Sequence, residues 1–250
     1  KKFNILKRTI ILICQRMLSK AGYLQLACSN EAAQYLFGSK IRNETIIIKN
    51  GIDTGKFVYS AITRRKIRDD LGYAKDQLIV GCVGRFSPPK NHFFILDIFS
   101  EILKRDSAAR LMLVGDGSLK SQVEVSAREK KIFESIDFLG NRNDVSDLLM
   151  AMDVFLLPSL YEGFGIVNLE AQCSGLPCIV STEVPEMVKV TNLVRFVSLS
   201  ESPETWADKV CTEANTNFRQ GKEKELIQAG YDITFSSTKL QELYEKMGQI

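Results

Sequence analysis

Residues 153–170 read Asp153-Val154-Phe155-Leu156-Leu157-Pro158-Ser159-Leu160-Tyr161-Glu162-Gly163-Phe164-Gly165-Ile166-Val167-Asn168-Leu169-Glu170. The run up to Pro158 is continuously apolar and of strand length, as in a strand covered on both faces. From Ile166 onward the apolar residues follow helical spacing. A strand, a glycine-bearing turn and a helix leave backbone N–H groups exposed at the carboxyl edge of a sheet, where a phosphate docks. Glu162 and Glu170 suit a ligand that offers hydroxyls beside that phosphate. A sugar nucleotide offers both.

Similar runs recur outward from this stretch, at Tyr23–Ser29, Thr45–Lys49, Leu78–Val83, Arg110–Val114, Ile136–Leu139, Val154–Leu157, Pro177–Ser181 and Leu193–Val197. Helical patterns separate them. Ile95, Ile98, Phe99, Ile102 and Leu103 share one helical face, with Asn91 expected as the N-cap. Ser118 is expected to cap the next helix, and Asn143 a short one running to about Met152. Alternation of this kind means βαβ units with right-handed crossovers, hence an α/β, doubly wound, Rossmann-like parallel sheet. The run Arg64-Arg65-Lys66-Ile67-Arg68-Asp69-Asp70 reads as a solvated connecting helix rather than a phosphate patch. Phe235–Met247 carries Leu240, Leu243, Tyr244 and Met247 at helical spacing and reads as an amphipathic terminal helix. Residues 1–40 give a helix, a strand ending at Ser29 and a short helix through Leu36, with a boundary or hinge near Gly38–Asn43. The expected organisation is therefore 1–40, 41–232 and 233–250.

Composition narrows the function classes. The chain has 250 residues, 45% hydrophobic and 25% charged, as in ordinary globular proteins. The net charge of +3, without a basic stripe interleaved with aromatics, argues against a nucleic-acid partner. The cysteines (Cys14, Cys28, Cys82, Cys173, Cys178 and Cys211) form no CxxC pair and read as reduced thiols of a cytosolic protein. No apolar run reaches the roughly 20 residues needed to cross a bilayer. Lys7–Lys20, with its apolar centre Ile10–Cys14 between basic residues, reads either as a helix packed on a neighbouring domain or as a membrane-surface helix. The chain opens at Lys1 and reads as a fragment of a longer protein.

Ligands of open parallel sheets bind at the carboxyl ends of the strands. Four segments occupy such ends. In Gly84-Arg85-Phe86-Ser87-Pro88-Pro89-Lys90-Asn91, Arg85 can fork onto phosphate, Lys90 adds a point charge, and the prolines stiffen the loop. Gly115-Asp116-Gly117 permits close approach of a ligand or makes a tight turn; it is not GxGxxG. In Leu139-Gly140-Asn141-Arg142, backbone groups could read a nucleobase edge, with Arg142 on its face. The fourth segment is the quoted stretch. Its carboxylates would repel a diphosphate, so they make sense only by accepting bonds from hydroxyls. A helix terminus contributes up to ~2 kcal/mol to a bound anion, and each charged hydrogen bond ~1.5–3 kcal/mol. Each segment alone also reads as an ordinary turn, and the two glutamates as members of a surface ion pair. No DxD pair, GxSxG, HExxH or GxxxxGK[ST] is present, and the single His92 has no ligand set around it and reads as a helix-start residue.

Together, Asn50-Gly51-Ile52-Asp53, Gly84-Arg85 with Lys90-Asn91, Gly115-Asp116-Gly117, Phe138-Leu139-Gly140 and Glu162…Glu170 resemble the C-terminal, donor-binding half of a group 1 (family 4) retaining glycosyltransferase of the GT-B fold, over residues 22–250. Pro158–Gly163, Glu170-Ala171-Gln172, Gly175-Leu176-Pro177 and Ala27-Cys28-Ser29 with Leu36-Phe37-Gly38 are similar to bacterial enzymes that build capsular or exopolysaccharide repeat units. The resemblance implies that Arg85, Lys90 and Glu162 serve catalysis. It also implies that Gly84, Arg142, Gly163, Phe164, Gly165 and Glu170 bind the donor, Glu170 through the ribose diol. It implies no metal and no cofactor, a nucleotide-diphosphate sugar donor (a UDP-sugar foremost), and a saccharide or lipid-linked acceptor. The implied setting is cytoplasmic, with peripheral contact at the inner membrane face left open. The implied partner is an N-terminal domain, of which residues 1–40 would be the remnant. A sugar-nucleotide-binding domain without transferase activity by itself is the alternative. An epimerase or phosphorylase of similar architecture is a third class, the latter disfavoured by the missing cofactor-lysine motif.

Overall fold

The apolar runs between Ile79 and Val197 pair side by side into one parallel sheet. A computed structural model describes residues 9, 10, 12–15, 17, 24–38, 45–214 and 219–247. The elements in chain order are β1 (Leu26–Ala27), α1 (Asn30–Phe37), β2 (Ile46–Ile47), α2 (Ala61–Asp70), β3 (Ile79–Val83), α3 (His92–Leu103), β4 (Arg110–Val114), α4 (Lys120–Glu129), β5 (Ile136–Gly140), α5 (Val145–Ala151), β6 (Val154–Leu157), α6 (Ile166–Cys173), β7 (Cys178–Ser181), β8 (Val194–Val197), α7 (Pro203–Ala214), α8 (Glu223–Gln228) and α9 (Ile233–Met247). The large sheet has the order β5-β4-β3-β6-β7-β8, all parallel. Counted from β3, this is the 3-2-1-4-5-6 order of the doubly wound nucleotide-binding sheet, and the order reverses between β3 and β6. Every residue of β6 and β7 is buried, which is why these strands read as unbroken apolar runs. These six strands lie within one residue of the sequence expectation at each end.

Contacts group the chain into two units, Lys1–Gly51 with Gly230–Ile250, and Ile52–Ala229. In the first, β1 and β2 form a parallel pair of two residues each, shorter than the sequence suggested. The returning tail is tied to this pair's second strand and the residues after it. Ser236 Oγ donates to the Lys49 carbonyl at 2.8 Å, Lys239 Nζ donates to the Ile47 carbonyl at 3.0 Å, and Lys49 lies over the Tyr231 ring. Of the tail residues at helical spacing, Leu240 and Leu243 are half-buried while Tyr244 and Met247 are exposed. Lys7–Lys20 is helical where described, with Ile10, Leu12 and Ile13 exposed; its residues 7, 8, 11, 16 and 18–20, and 39–43 of the expected hinge, lie outside the described residues.

Three caps differ from expectation. Asn91 stands at the start of α3 but in the left-handed region (φ 56°), so its side chain cannot turn back onto the helix; Nδ2 donates instead to the Pro158 carbonyl at 3.0 Å. Leu119, not Ser118, occupies the cap position of α4. Asp144, not Asn143, occupies that of α5, and its carboxylate is held by Arg142. Capping side chains appear elsewhere, from Ser29 on α1 and Ser60 on α2.

The basic run on α2 is solvated only in part: Arg65, Lys66, Asp69 and Asp70 are exposed, whereas Arg64 and Arg68 turn inward. Arg68 is 3% exposed. The end of α5 is buried, so its last carbonyls need donors. Arg64 donates to the carbonyls of Met150, Ala151 and Met152, Arg68 to that of Ala151, and both meet the Asp153 carboxylate. Arg219 donates to the carbonyls of Leu149, Met150, Met152 and Ser174 and to the Ser174 hydroxyl. Burial pushes the Arg219 pKa down to about 9. The negative end of α5 offsets part of this concentration of positive charge.

Candidate functional site

The site grows from the carboxyl edge where the strand order reverses. Backbone bonds stitch the ends of β3, β4 and β5 together. Gly84 N donates to the Val114 carbonyl, Gly115 N to that of Gly140, and Phe86 N to that of Asp116. A Cβ on Gly115, whose φ is 133°, would stand 2.2 Å from the Gly84 carbonyl oxygen. That glycine therefore serves the close approach of two strand ends. Beside it opens a cleft of about 370 Å³ lined by Gly84, Arg85, Gly115, Asp116, Asn141 and Arg142, with Val83, Val114 and Val145 behind.

The cleft gathers three of the expected residues. Arg85 is exposed there, and its guanidinium has no hydrogen-bond or ion-pair partner among the described residues. Gly84 carries the stem of Lys90, whose Cε lies 3.0 Å from where a Cβ would stand. Arg142 lines the opposite wall, but its guanidinium is forked onto Asp144 at 2.8 and 2.6 Å rather than left free. The Arg142 contact holds the Asp144 carboxyl below the usual carboxylate range.

Across the reversal point, the loops after β3 and β6 are bonded to each other. Leu160 N donates to the Pro89 carbonyl at 2.8 Å, beside the Asn91 bond to Pro158. Lys90 Nζ contacts Glu162 Oε1 at 2.5 Å, and the Ser159 hydroxyl donates to the same oxygen at 2.9 Å. Their side chains are 17% and 11% exposed. The sequence reading kept these two charges apart, one for phosphate and one for hydroxyls; the structure pairs them, because a covered carboxylate needs a counter-ion. Ser159, fully buried and missed in the sequence, completes this cluster.

Helix α6 follows, with Gly165 at its cap position in the left-handed region (φ 73°). A Cβ on Gly165 would stand 2.7 Å from Asn168 Nδ2. Asn168 is fully buried, and neither of its side-chain polar atoms has a partner among the described residues. Such orphaned groups cost about 1–3 kcal/mol each. An asparagine inside an otherwise apolar helical stretch was the available signal. Gly163 is exposed with open space around its Cα, and Phe164 is buried. Glu170 is half-buried, its carboxylate has no hydrogen-bond or ion-pair partner among the described residues, and burial raises its pKa. The structure records no contact that joins Glu170 to Glu162 or to the cleft. His92 begins α3 as expected, stacked on Phe86 at 4.1 Å; burial and the Lys90 charge push its pKa down to about 4.

A larger cavity, about 850 Å³, lies at the amino ends of the strands, where Leu78, Asp153, Pro177 and Leu193 line it with Arg64 and Arg219. Those arginines are spent on α5 carbonyls, and the strand ends there present no glycine-bearing turn into a helix, so the carboxyl edge is the better anion site. Among the described residues, no three His, Cys, Asp or Glu side chains form a metal-ligand group.

Residues 63–231 match the family described as Glycosyl transferases group 1. The chain is 35% identical over 235 residues to EpsF of Bacillus subtilis (strain 168), named as a glycosyltransferase, covering 92% of this chain and 61% of that protein. It is 35% identical over 139 residues to an Escherichia coli UDP-Gal:alpha-D-GlcNAc-diphosphoundecaprenol alpha-1,3-galactosyltransferase, covering 54% of this chain and 36% of the relative. The chain thus spans less than two thirds of the length of either relative. Among solved structures, Anabaena HepE in complex with UDP and glucose superposes with a TM-score of 0.76 at 20% identity, over 97% of this chain and 67% of that one. Sucrose-phosphate synthase from Thermosynechococcus elongatus gives 0.78 at 21%, over 97% and 62%. The shared architecture is the GT-B fold.

Proposed function

The chain belongs to the group 1 glycosyl transferases, and from that premise we propose that it is the donor-binding part of a hexosyltransferase of surface-polysaccharide assembly. It takes a nucleotide-diphosphate sugar and serves transfer, with retention, to a saccharide or lipid-linked acceptor. The observation that carries this reading is the Arg85 side chain, without a hydrogen-bond or ion-pair partner among the described residues, in the cleft at the strand-order reversal; Lys90, whose stem lies on Gly84 of that cleft, is paired with Glu162.

Arg85 forks onto the pyrophosphate, and Lys90 adds its charge from the Glu162 pair. Backbone N–H groups of Gly163, Phe164 and Gly165 hold sugar or phosphate oxygens at the start of α6. The partnerless Glu170 carboxylate accepts bonds from the ribose diol, and Glu162 faces the transferred sugar. Gly84 lets the donor lie close to the strand end, and Arg142 lines the base side. In the reaction the bond from the anomeric carbon to phosphate breaks as the bond to the acceptor oxygen forms on the same face. The acceptor's proton passes to the departing phosphate oxygen. The protein's main task is to stabilise charge on that diphosphate; the two cations and the helix terminus take that task without a metal. HepE, solved with UDP and with UDP-glucose, supports a UDP-sugar as donor. The name of the Escherichia coli relative supports a lipid-linked acceptor, and a cytoplasmic place at the inner membrane face is part of the same proposal. Among the described residues no helix is long and apolar enough to cross a membrane.

Calorimetric titration of the chain with UDP, GDP, ADP and UDP-glucose tests the reading. UDP and UDP-glucose are expected to bind best, and Arg85→Ala to weaken both at least about tenfold, as for a lost charged hydrogen bond. Failure of every nucleotide to bind overturns the proposal. A second reading, a donor-binding domain that does not transfer alone, is favoured by the 61% coverage of EpsF. Binding without transfer by this chain, beside transfer by a full-length relative, is its expected signature.

A further inference from the structure

Helix α6 carries two buried side-chain amides one turn apart, with opposite fates. Gln172 is fully satisfied. Its Nε2 donates to the carbonyls of Asn168 and Val188, and its Oε1 accepts from Val190 N, Thr191 N and the Thr191 hydroxyl. Asn168, on the same helix face and equally buried, makes no side-chain bond at all. Buried amides without partners are rare in folded proteins, and each calls for a physical reason.

Position supplies the reason. Asn168 Nδ2 packs against the open side of Gly165, 2.7 Å from where a Cβ would stand, and Glu162 Oε2 lies 3.8 Å from that same point. The amide therefore sits beneath the turn that joins Glu162 to α6. Glu162 Oε2 itself carries no hydrogen bond, since Lys90 and Ser159 both use Oε1. A Cβ on Gly163, in that turn, would meet no atom within 4 Å, so this side of the turn is open. A carboxamide is satisfied by a partner that both donates and accepts. A peptide unit does so; a phosphate oxygen only accepts.

Resting on the donor reading above, we infer that Asn168 is a positioning residue of the donor site. Its carboxamide bonds the peptide groups of the Gly163–Gly165 turn when a nucleotide-diphosphate sugar draws that turn onto its oxygens. The free protein keeps the amide unsatisfied, and the bound protein uses it. The arrangement gives up stability in the empty state and recovers it on binding.

The test compares the wild-type chain with Asn168→Leu, similar in volume but apolar, and Asn168→Ser, which keeps a donor and an acceptor. Each is melted thermally and titrated with UDP-glucose. Asn168→Leu is expected to melt at the same temperature or higher, since an unbonded amide has left the core, yet to bind UDP-glucose about tenfold more weakly. Asn168→Ser is expected to recover part of that affinity. A purely structural asparagine would lower the melting temperature and leave affinity alone. Wild-type affinity in the leucine variant overturns the inference while the donor reading stands; no binding by the wild type overturns both. Should the leucine variant not fold, NMR of the wild type decides. The Asn168 side-chain NH₂ signals are expected to shift and gain exchange protection on UDP-glucose addition, and unchanged signals overturn the inference.

Discussion

Lys90 Nζ contacts Glu162 Oε1 at 2.5 Å although the two residues follow different strands, β3 and β6, which are three crossovers apart in the chain. The pair bridges the point where the sheet order reverses, and the stem of Lys90 lies on Gly84 at the mouth of the cleft. An anion placed beside Arg85 therefore meets a lysine already bonded to a carboxylate. Binding there has to share Lys90 between Glu162 and the incoming charge.

Removing the lysine alone leaves Glu162 covered, with the Ser159 hydroxyl as its remaining donor. Lys90→Ala is expected to lower stability by about 2–3 kcal/mol, between the exposed and fully buried cases. Adding Glu162→Gln is expected to restore most of the loss, because the uncompensated charge is gone. Urea denaturation of both singles and the double mutant measures the coupling.

His92 sets a pH response. Its folded-state pKa is about 4, below the ordinary 6.5, because burial and Lys90 disfavour the imidazolium. The unfolded chain takes up the proton near the ordinary value, so the native state's advantage is whole above pH 6.5. It is lost as pH falls toward 4, by about 3 kcal/mol in total. His92→Phe, which can keep the stack on Phe86, is expected to flatten this dependence. Urea midpoints at pH 7 and pH 4 check it: an equal drop in variant and wild type would rule His92 out as the cause.

Arg219 spends its five N–H groups on four carbonyls and a hydroxyl around the end of α5. A lysine has three donors and no fork, so Arg219→Lys is expected to cost about 3–5 kcal/mol, as for other broken buried networks. Chemical denaturation reads the loss directly, and retention of wild-type stability would contradict the assigned role.

Two glycines near the site are expected to behave oppositely. Gly115→Ala forces a methyl to within 2.2 Å of the Gly84 carbonyl oxygen at a positive φ, and is expected to cost upwards of about 3 kcal/mol. Gly163→Ala meets no atom within 4 Å and is expected to stay within about 0.5 kcal/mol of wild type. Thermal melts of the pair separate the close-packed strand ends from the open turn.

Much of this architecture was legible locally. Runs such as Val154–Leu157 announce strands buried on both faces, and the glycines of Gly115-Asp116-Gly117 and Gly163-Phe164-Gly165 mark strand ends, since apolar periodicity and turn chemistry are written within a few residues of each other. The family pattern emerged from the order of those segments. Misreadings fell where a residue's partner is remote. Arg64 and Arg68 look solvated until the buried end of α5 is placed against them. Asn91 looks like a cap until the β6 loop offers the Pro158 carbonyl.

The amino-acid sequence thus determined the strands, most of the helices and the glycine-bearing strand ends, because each follows from the period of apolar residues and from backbone freedom at glycine. Tertiary structure alone decided that Lys90 and Glu162 form one ion pair, that Arg142 is tied to Asp144 and that Asn168 is left without a partner. The reason is geometric. Charge pairing and hydrogen-bond satisfaction depend on which loops become neighbours, and that is set by the strand order of the whole sheet, which no short window of sequence contains.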